Sequence, residues 1–306
     1  MRIAVTGVRG QLGWELARSL SPLGEVIHWD RELADLSKPV LLDGLMRFYR
    51  PDVVVNAAAY TAVDRAEDDC VIARLVNTES VDVIARAAKR AGALFVHFST
   101  DYVFDGKSAD PYSEDCVTSP LNVYGATKRD GELAIIASEC DHLIFRTSWV
   151  YATRGANFML TMLRLAGERE ELKIVDDQVG APTSAKMLAN VTAHAISQAM
   201  RERREGRFQS GLFHLTSQGV TSWHGYASAI IDYARNLAPS GRVRVKHIEA
   251  VPSEAFPTRA ARPRNSALNN DRFSERFGLA RPHWWDALAQ TLDERFERTA
   301  QAFQIR

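Results

Sequence analysis

Met1-Arg2-Ile3-Ala4-Val5-Thr6-Gly7-Val8-Arg9-Gly10-Gln11-Leu12-Gly13 opens the chain and decides its fold. Residues 2–6 form a short apolar run that stops at Gly7. From Gln11 the apolar spacing becomes helical, through Leu12, Leu16 and Leu20. A strand, a tight turn and a helix are expected. Across the turn the glycines stand as G-x-x-G-x-x-G: Gly7 permits the turn, Gly10 admits a pyrophosphate to the backbone, and Gly13 lets helix and strand approach closely. A dinucleotide's phosphates would meet the free N–H groups and positive end of the helix. A glycine pattern alone also occurs in structural turns, and position 9 is Arg where the G-x-G-x-x-G spacing has Gly. The reading rests on the strand-to-helix junction that carries the pattern.

Outward from this motif, strand-like runs and helical spacing alternate. Glu25-Val26-Ile27-His28-Trp29 ends at Asp30, where an acidic residue meets the adenosine ribose hydroxyls. Asp30 points to NADH, while Arg9 and Arg31 could hold the extra phosphate of NADPH, so both cofactors stay open. Asp52-Val53-Val54-Val55-Asn56 is nearly all β-branched, as in a parallel strand buried on both faces. It opens into Ala57-Ala58-Ala59-Tyr60-Thr61, small enough to leave room for a flat cofactor. A helix from about Val71 to Ala91 leads to the strand Leu94-Phe95-Val96-His97-Phe98, and Ser99-Thr100-Asp101-Tyr102 stand at its end. In open α/β sheets ligands lie beyond such strand ends. A further strand, Leu143–Arg146, runs into Thr147-Ser148-Trp149. The fold expected is α/β, a doubly wound parallel sheet (Rossmann) over residues 1–150.

Beyond residue 150 the spacing changes, with no glycine-rich linker. A helix near 157–168, a strand at 172–175, a helix over 185–204 that packs back on the first part, strands at 212–215 and 243–248, and helices over 223–237 and after Trp285 predict a smaller, interwoven α/β domain over 151–306. Arg201-Glu202-Arg203-Arg204-Glu205 mixes signs at a helix end and reads as a solvated face. Phe256-Pro257-Thr258-Arg259-Ala260-Ala261-Arg262-Pro263-Arg264 places arginines among prolines, and arginine forks suit phosphate oxygens.

Lys+Arg and Asp+Glu are both 38 in 306 residues. A formal charge of zero argues against sequence-independent binding to nucleic acid or a membrane surface. Three cysteines without a C-x-x-C pair suit a reduced, cytoplasmic protein. No apolar run is long enough to span a bilayer.

Tyr124-Gly125-Ala126-Thr127-Lys128 carries the chemistry. On a helix, residues four apart share a face, so one turn presents both the phenol and the amine. A tyrosine pKa near ~10 falls beside a cation, which would suit Tyr124 to general acid work. The spacing by itself is common; its place after the Ser99-Thr100-Asp101 strand end is what gives it weight.

The glycine pattern, Ser99-Thr100-Asp101-Tyr102-Val103-Phe104, Tyr124-x-x-x-Lys128, Arg146-Thr147-Ser148-Trp149-Val150-Tyr151 and Arg262-Pro263-x-x-Ser266-x-Leu268 together resemble the extended short-chain dehydrogenase/reductases. The likeness runs in family order from the first strand to the last helix, and is strongest to members that reduce the C4 ketone of a dTDP-linked 4-keto-6-deoxy sugar. It implies that Gly10, Gln11 and Leu12 contact the cofactor phosphates, Asp30 the ribose, Asp35 and Leu36 the adenine side, and Ala59, Tyr60 and Thr61 the middle of the NADPH or NADH. It implies that Tyr124 and Lys128 hold the nicotinamide ribose, that Tyr124 donates the proton with Thr100 orienting the oxygen, and that Thr100, Asp101 and Trp149 touch the sugar. Arg259 and Arg262 would face the diphosphate. The product implied is dTDP-L-rhamnose.

Dehydrating relatives carry a Glu after the Thr-Asp pair; Tyr102 stands there, so elimination lacks its carboxylate. Some members dimerise through a magnesium held by glutamates. Glu15 matches one ligand, but Lys186 stands at another and would repel the metal, so no metal is expected and the chain reads as a monomer or homodimer. Other nucleotide-sugar reductases or epimerases, and a non-catalytic NAD(P)-binding regulatory subunit, are the alternatives.

Overall fold

The structure, a computed structural model, describes residues 1–237 and 243–304. The apolar run at the N-terminus forms β1 (Arg2–Thr6), which pairs in parallel with β2 (Glu25–Trp29) on one side and β3 (Val53–Asn56) on the other. β4 (Leu94–Thr100) and β5 (His142–Thr147) extend the sheet from β3. Every residue of β4 and β5 is buried, which is why both read as mostly apolar runs rather than alternating ones.

The sixth strand is Gly211–His214, parallel to β5, so the order is Gly211–His214, β5, β4, β3, β1, β2. Read from sequence as part of the small second lobe, this strand instead closes the large sheet. The reason is packing: Phe213 lies against Phe145 and Phe277 in the core on one face of the sheet.

That face carries α1 (Gln11–Leu20) and the helix Ala185–Arg204; Leu16, Leu20, Leu188 and Ile196 are fully buried between them and the strands. Each such side chain contributes on the order of 1.5–3 kcal/mol by leaving water. The opposite face carries Val40–Tyr49 and Ser80–Ala91, which bury Leu42, Met46 and Ile84 against Trp29 and Phe95. The sheet is thus wound on both sides.

The stretch read as one helix from Val71 to Ala91 is Cys70–Arg74, a π-helical turn Leu75–Glu79, and Ser80–Ala91. The widened turn brings the carbonyl of Asn77 so close to Gly131 that a Cβ there would lie 2.3 Å from it. A third core joins the helices Phe158–Glu168, Trp223–Leu237 and Trp284–Gln304 through Met159, Met162, Tyr226, Ile230 and Leu288. A parallel strand pair, Glu171–Val175 with His247–Val251, lies beside it. The second of these was expected at 243–248; it starts later because the N–H groups of Arg244, Val245 and Lys246 bond Ala166 and Glu170 carbonyls.

Candidate active site

The glycine turn is built for close approach. Gly7 has φ +67°, and a Cβ there would lie 3.0 Å from the Ala58 backbone; at Gly13 a Cβ would fall 2.1 Å from the Gly7 carbonyl oxygen. Gly10 caps α1 without any side-chain hydrogen bond, so the helix start offers bare N–H groups over a side-chain-free cradle. A dinucleotide pyrophosphate fits this turn.

Asp30 follows β2, its Oδ1 accepting the Glu32 and Leu33 N–H groups at 3.1 Å each and its Oδ2 taking Arg9 Nη2 at 2.6 Å. The Leu33 N–H, together with Arg9, holds the Asp30 carboxyl below its usual range. Arg9 also pairs with Glu32 at 3.0 Å. Asp35 binds the Ser37 N–H and hydroxyl, and Leu36 is buried beside it. Ala59 and Tyr60 are half-buried after β3, and Thr61 is exposed. The Tyr60 N–H donates to Asn77 Oδ1 at 2.9 Å, and Asn77 Nδ2 donates to Tyr60 O and Thr127 Oγ1, so the π turn ties this loop to the Tyr124 helix.

Tyr124 and Lys128 lie on the helix Val123–Ser138. Asn122 caps it, accepting from the Gly125 N–H at 2.8 Å and donating to Ala261 O at 2.8 Å. Gly125 is required here, because a Cβ would lie 2.1 Å from Tyr102 O. Ser99 and Thr100 are the last residues of β4. Thr100 Oγ1 donates to Asp101 Oδ1 at 2.9 Å and stands beside the Tyr124 phenol, while the Tyr102 ring meets Tyr124 edge-on at 5.6 Å.

The electrostatics differ from the sequence reading. Lys128 does not depress the Tyr124 pKa: its Nζ donates to Phe98 O at 2.6 Å and lies 3.0 Å from His97 Nε2. Burial pushes Tyr124 up to about 12, with the Thr100 hydroxyl pulling against it. Burial lowers Lys128 to about 8 and raises Asp101 to about 6. Asp101 Oδ2 and Ser99 Oγ are buried without a hydrogen-bond partner among the described residues. Unmet acceptors and donors at strand ends are where a polar ligand would be received.

Trp149 sits in the left-handed region at φ +48° and stacks on Trp223. Gly180 makes the space, since a Cβ would lie 2.7 Å from the Trp149 ring. Trp223, with Phe158, Gln178, Thr258 and Arg262, lines a cleft of about 380 Å³. Arg262 pairs with Asp64 Oδ2 at 2.8 Å, and Arg259 pairs with Asp68. The arginines read as phosphate ligands are thus already bonded to carboxylates of the segment after Thr61. Lys186 pairs with Glu294.

Sequence reading missed Trp223, Asn77, Asn56 and His97. Polar residues breaking otherwise apolar strands, Asn56 and His97, were a usable signal; nothing local marked Trp223 or Asn77.

Residues 1–296 match the family described as RmlD substrate binding domain. A dTDP-4-dehydrorhamnose reductase of Burkholderia thailandensis is 55% identical over 284 residues, 93% of this chain and 95% of that protein. The crystal structure of a dTDP-4-dehydrorhamnose reductase from Clostridium acetobutylicum is similar with a TM-score of 0.86 at 35% identity, covering 96% of this chain and 99% of that one. One from Bacillus anthracis, in complex with NADP, has a TM-score of 0.84 at 32% identity over 96% of this chain and 99% of its own. No helix among the described residues is long and apolar enough to cross a membrane. With its glycine cradle, its parallel sheet and a match spanning nearly the whole chain, this protein belongs to the RmlD substrate binding domain family.

Proposed function

We infer that this chain is an NAD(P)H-dependent oxidoreductase that reduces the C4 ketone of dTDP-4-dehydrorhamnose to dTDP-L-rhamnose. The observation that carries the reading is the gathering of Thr100, Tyr124 and Lys128 at the end of β4, with β3 between it and β1, the strand that runs into the glycine cradle, in a chain so similar to reductases of that name.

When bound, the reduced nicotinamide supplies the hydride. The residues supply position and a proton. Tyr124, kept protonated by burial, gives its hydroxyl hydrogen to the oxygen that becomes the C4 alcohol. Thr100 shares that oxygen's environment and orients it; Asp101 Oδ2 accepts a sugar hydroxyl. Lys128 holds the nicotinamide ribose. Tyr102, whose phenol burial keeps protonated, offers no base to remove a proton from carbon, so the chemistry stays at net reduction. Trp149 on Trp223 gives the nucleotide sugar a flat apolar wall. Arg259 and Arg262 take the diphosphate by exchanging Asp68 and Asp64 for phosphate oxygens. In this reading residues 1–150 serve mainly the cofactor and 151–306 the sugar, in a cytoplasmic enzyme.

The test is nicotinamide absorbance against a panel of dTDP-, UDP- and GDP-linked 4-keto sugars. Oxidation of NADPH or NADH is expected with the dTDP-linked 4-keto-6-deoxy sugar. Cofactor binding with no turnover on any of them would identify a binding subunit and overturn the reading.

A further inference from the structure

Beneath Tyr124 the sheet carries a row of polar side chains. Thr6, Asn56 and His97 are register partners on β1, β3 and β4, and all are buried, His97 completely. Thr6 Oγ1 lies 2.6 Å from Asn56 Oδ1, Asn56 Nδ2 lies 3.1 Å from His97 Nδ1, and His97 Nε2 lies 3.0 Å from Lys128 Nζ. The row runs from the residue before Gly7 to the amine of the Tyr-Lys pair. Polar atoms in a sheet interior are retained only when partnered, and both ring nitrogens of His97 find their partners in this row.

Lys128 has no carboxylate to itself. Glu132, one turn along the helix, spends both oxygens on Arg146 of β5, at 2.9 and 2.7 Å. The hydrogen-bond partners of the amine are Phe98 O and His97 Nε2, both neutral. Glu132, with Arg146 on it, is the charged group whose field reaches the amine, against the burial that lowers its pKa, and Tyr124 stands one turn earlier on the same helix. Burial and the neighbouring Lys128 keep His97 uncharged.

A neutral imidazole carries one hydrogen, so the tautomer of His97 is tied to the charge of Lys128. An ammonium can only donate: Nε2 then accepts, the ring hydrogen sits on Nδ1, and Asn56 must offer its amide oxygen. A free amine can accept: Nε2–H then donates to it, and Asn56 offers its NH2 group. A half-turn of the Asn56 amide exchanges the two arrangements. Thr6, whose hydroxyl both donates and accepts, serves either one, and when the amide oxygen turns to His97 the Thr6 oxygen alone keeps the Ala58 N–H that it otherwise shares with Asn56 Oδ1.

We propose that His97 is a positioning residue of the reduction: a two-way hydrogen-bond partner that keeps the Lys128 amine in place whether or not it carries its proton, with Asn56 matching the tautomer. The proposal rests on the reading of Tyr124 and Lys128 as the reacting pair. Of the two hydrogen-bond partners of the amine, His97 is the one that can both accept and donate, because Phe98 O only accepts.

Steady-state kinetics of the full chain with the dTDP-4-keto sugar test it, using His97→Leu, His97→Gln, Asn56→Asp and Lys128→Met, with melting temperatures alongside. Leu offers no hydrogen bond, so kcat falls and the KM for NADPH rises, each by roughly tenfold, the scale of one hydrogen bond to a charged group. Gln can donate or accept at the same place and recovers most of that loss. Asp at position 56 only accepts, holds the Nδ1–H tautomer and the ammonium, and so moves the basic limb of the pH–rate profile to higher pH. Wild-type kinetics in His97→Leu, or an unmoved limb in a folded Asn56→Asp, overturns the proposal; should His97→Leu not fold, the limb of Asn56→Asp decides. Full activity in Lys128→Met brings down the underlying reading. A slow Lys128→Met beside wild-type His97→Leu brings down the proposal alone.

Discussion

Trp149 and Trp223 stack face to face, their ring centroids 3.5 Å apart and their planes 7° from parallel. The two arrive from different elements: Trp149 from the turn after β5, in a left-handed conformation, and Trp223 from the start of the Trp223–Leu237 helix. A non-glycine residue in that conformation costs on the order of 1–3 kcal/mol, so the surrounding packing must hold it there. Trp223→Ala removes the ring that holds it. The expected result is a KM for the nucleotide sugar raised about tenfold, the scale of one lost aromatic pair and its burial, with NADPH binding unchanged by fluorescence titration. Equal loss of both affinities would show that the stack supports the whole fold.

Tyr124→Phe keeps the ring against Tyr102 and removes the hydroxyl beside Thr100. A positioned proton donor contributes roughly 10²–10⁴ in rate. Turnover is expected to fall by that order while NADPH still binds. A variant as fast as wild type would exclude the phenol as donor.

The pH profile should report Lys128 before Tyr124. The phenol, lifted to about 12 by burial, stays protonated through the neutral range, whereas Lys128, lowered to about 8, loses its proton as pH rises through that value. Reduction is expected to decline on the basic side near there. In Lys128→Met that limb moves to higher pH, because only the tyrosine remains to titrate, and the overall rate is lower. Rates measured from pH 6 to 10 in both proteins check this.

Asp101 is kept at a cost to stability. Burial raises its carboxyl from 3.8 to about 6, so the folded state binds the proton more tightly than the unfolded chain between those values. Stability therefore falls as pH rises from about 4 to 6, and above both values the buried charge costs the fold ~3 kcal/mol. Asp101→Asn removes the charge without changing the shape. Its melting temperature is expected to exceed that of wild type at pH 8 by several degrees, with the gap closing towards pH 4, while KM for the sugar rises. Thermal melts at the two pH values decide it.

Asp30 and Arg9 are expected to set cofactor preference as a pair. Arg9 is held by Asp30 and Glu32, so its guanidinium stays beside the end of β2. Asp30→Ser frees Arg9 for a 2′-phosphate, and the ratio of kcat/KM for NADPH over NADH is expected to rise about tenfold, the value of one charge-assisted contact. Arg9→Ala should move the ratio the other way. If both variants leave it unchanged, selection lies elsewhere.

Much of the site was legible before the fold was seen, for a local reason. The glycine turn, the strand ending at Asp30, and Tyr124 and Lys128 four residues apart each depend on backbone preferences within a few residues. Those preferences act in the same way in any context. Among the strands that were read correctly, β3, β4 and β5 are buried on both faces, where composition alone is informative, whereas β2 and the strand at 171–175 keep exposed positions and were marked by their apolar residues and their ends. The strand at 211–214 was assigned to the wrong layer because its short apolar run says nothing about its neighbour; Phe145 and Phe277 decide that.

The charges around the pair were beyond the reach of spacing. Four residues on a helix put Lys128 near Tyr124, but Phe98 O and His97 claim the amine, and burial raises the phenol instead of lowering it. Likewise the arginines at 259 and 262 looked free in sequence and are paired with Asp68 and Asp64. By itself the sequence determined the parallel sheet, the cradle and the residues that reach the strand ends, because these follow from short-range geometry and hydrophobic pattern. Only the tertiary structure decided which groups are desolvated and which partner each one meets, because electrostatic strength depends on the burial and distances of residues far apart in the chain.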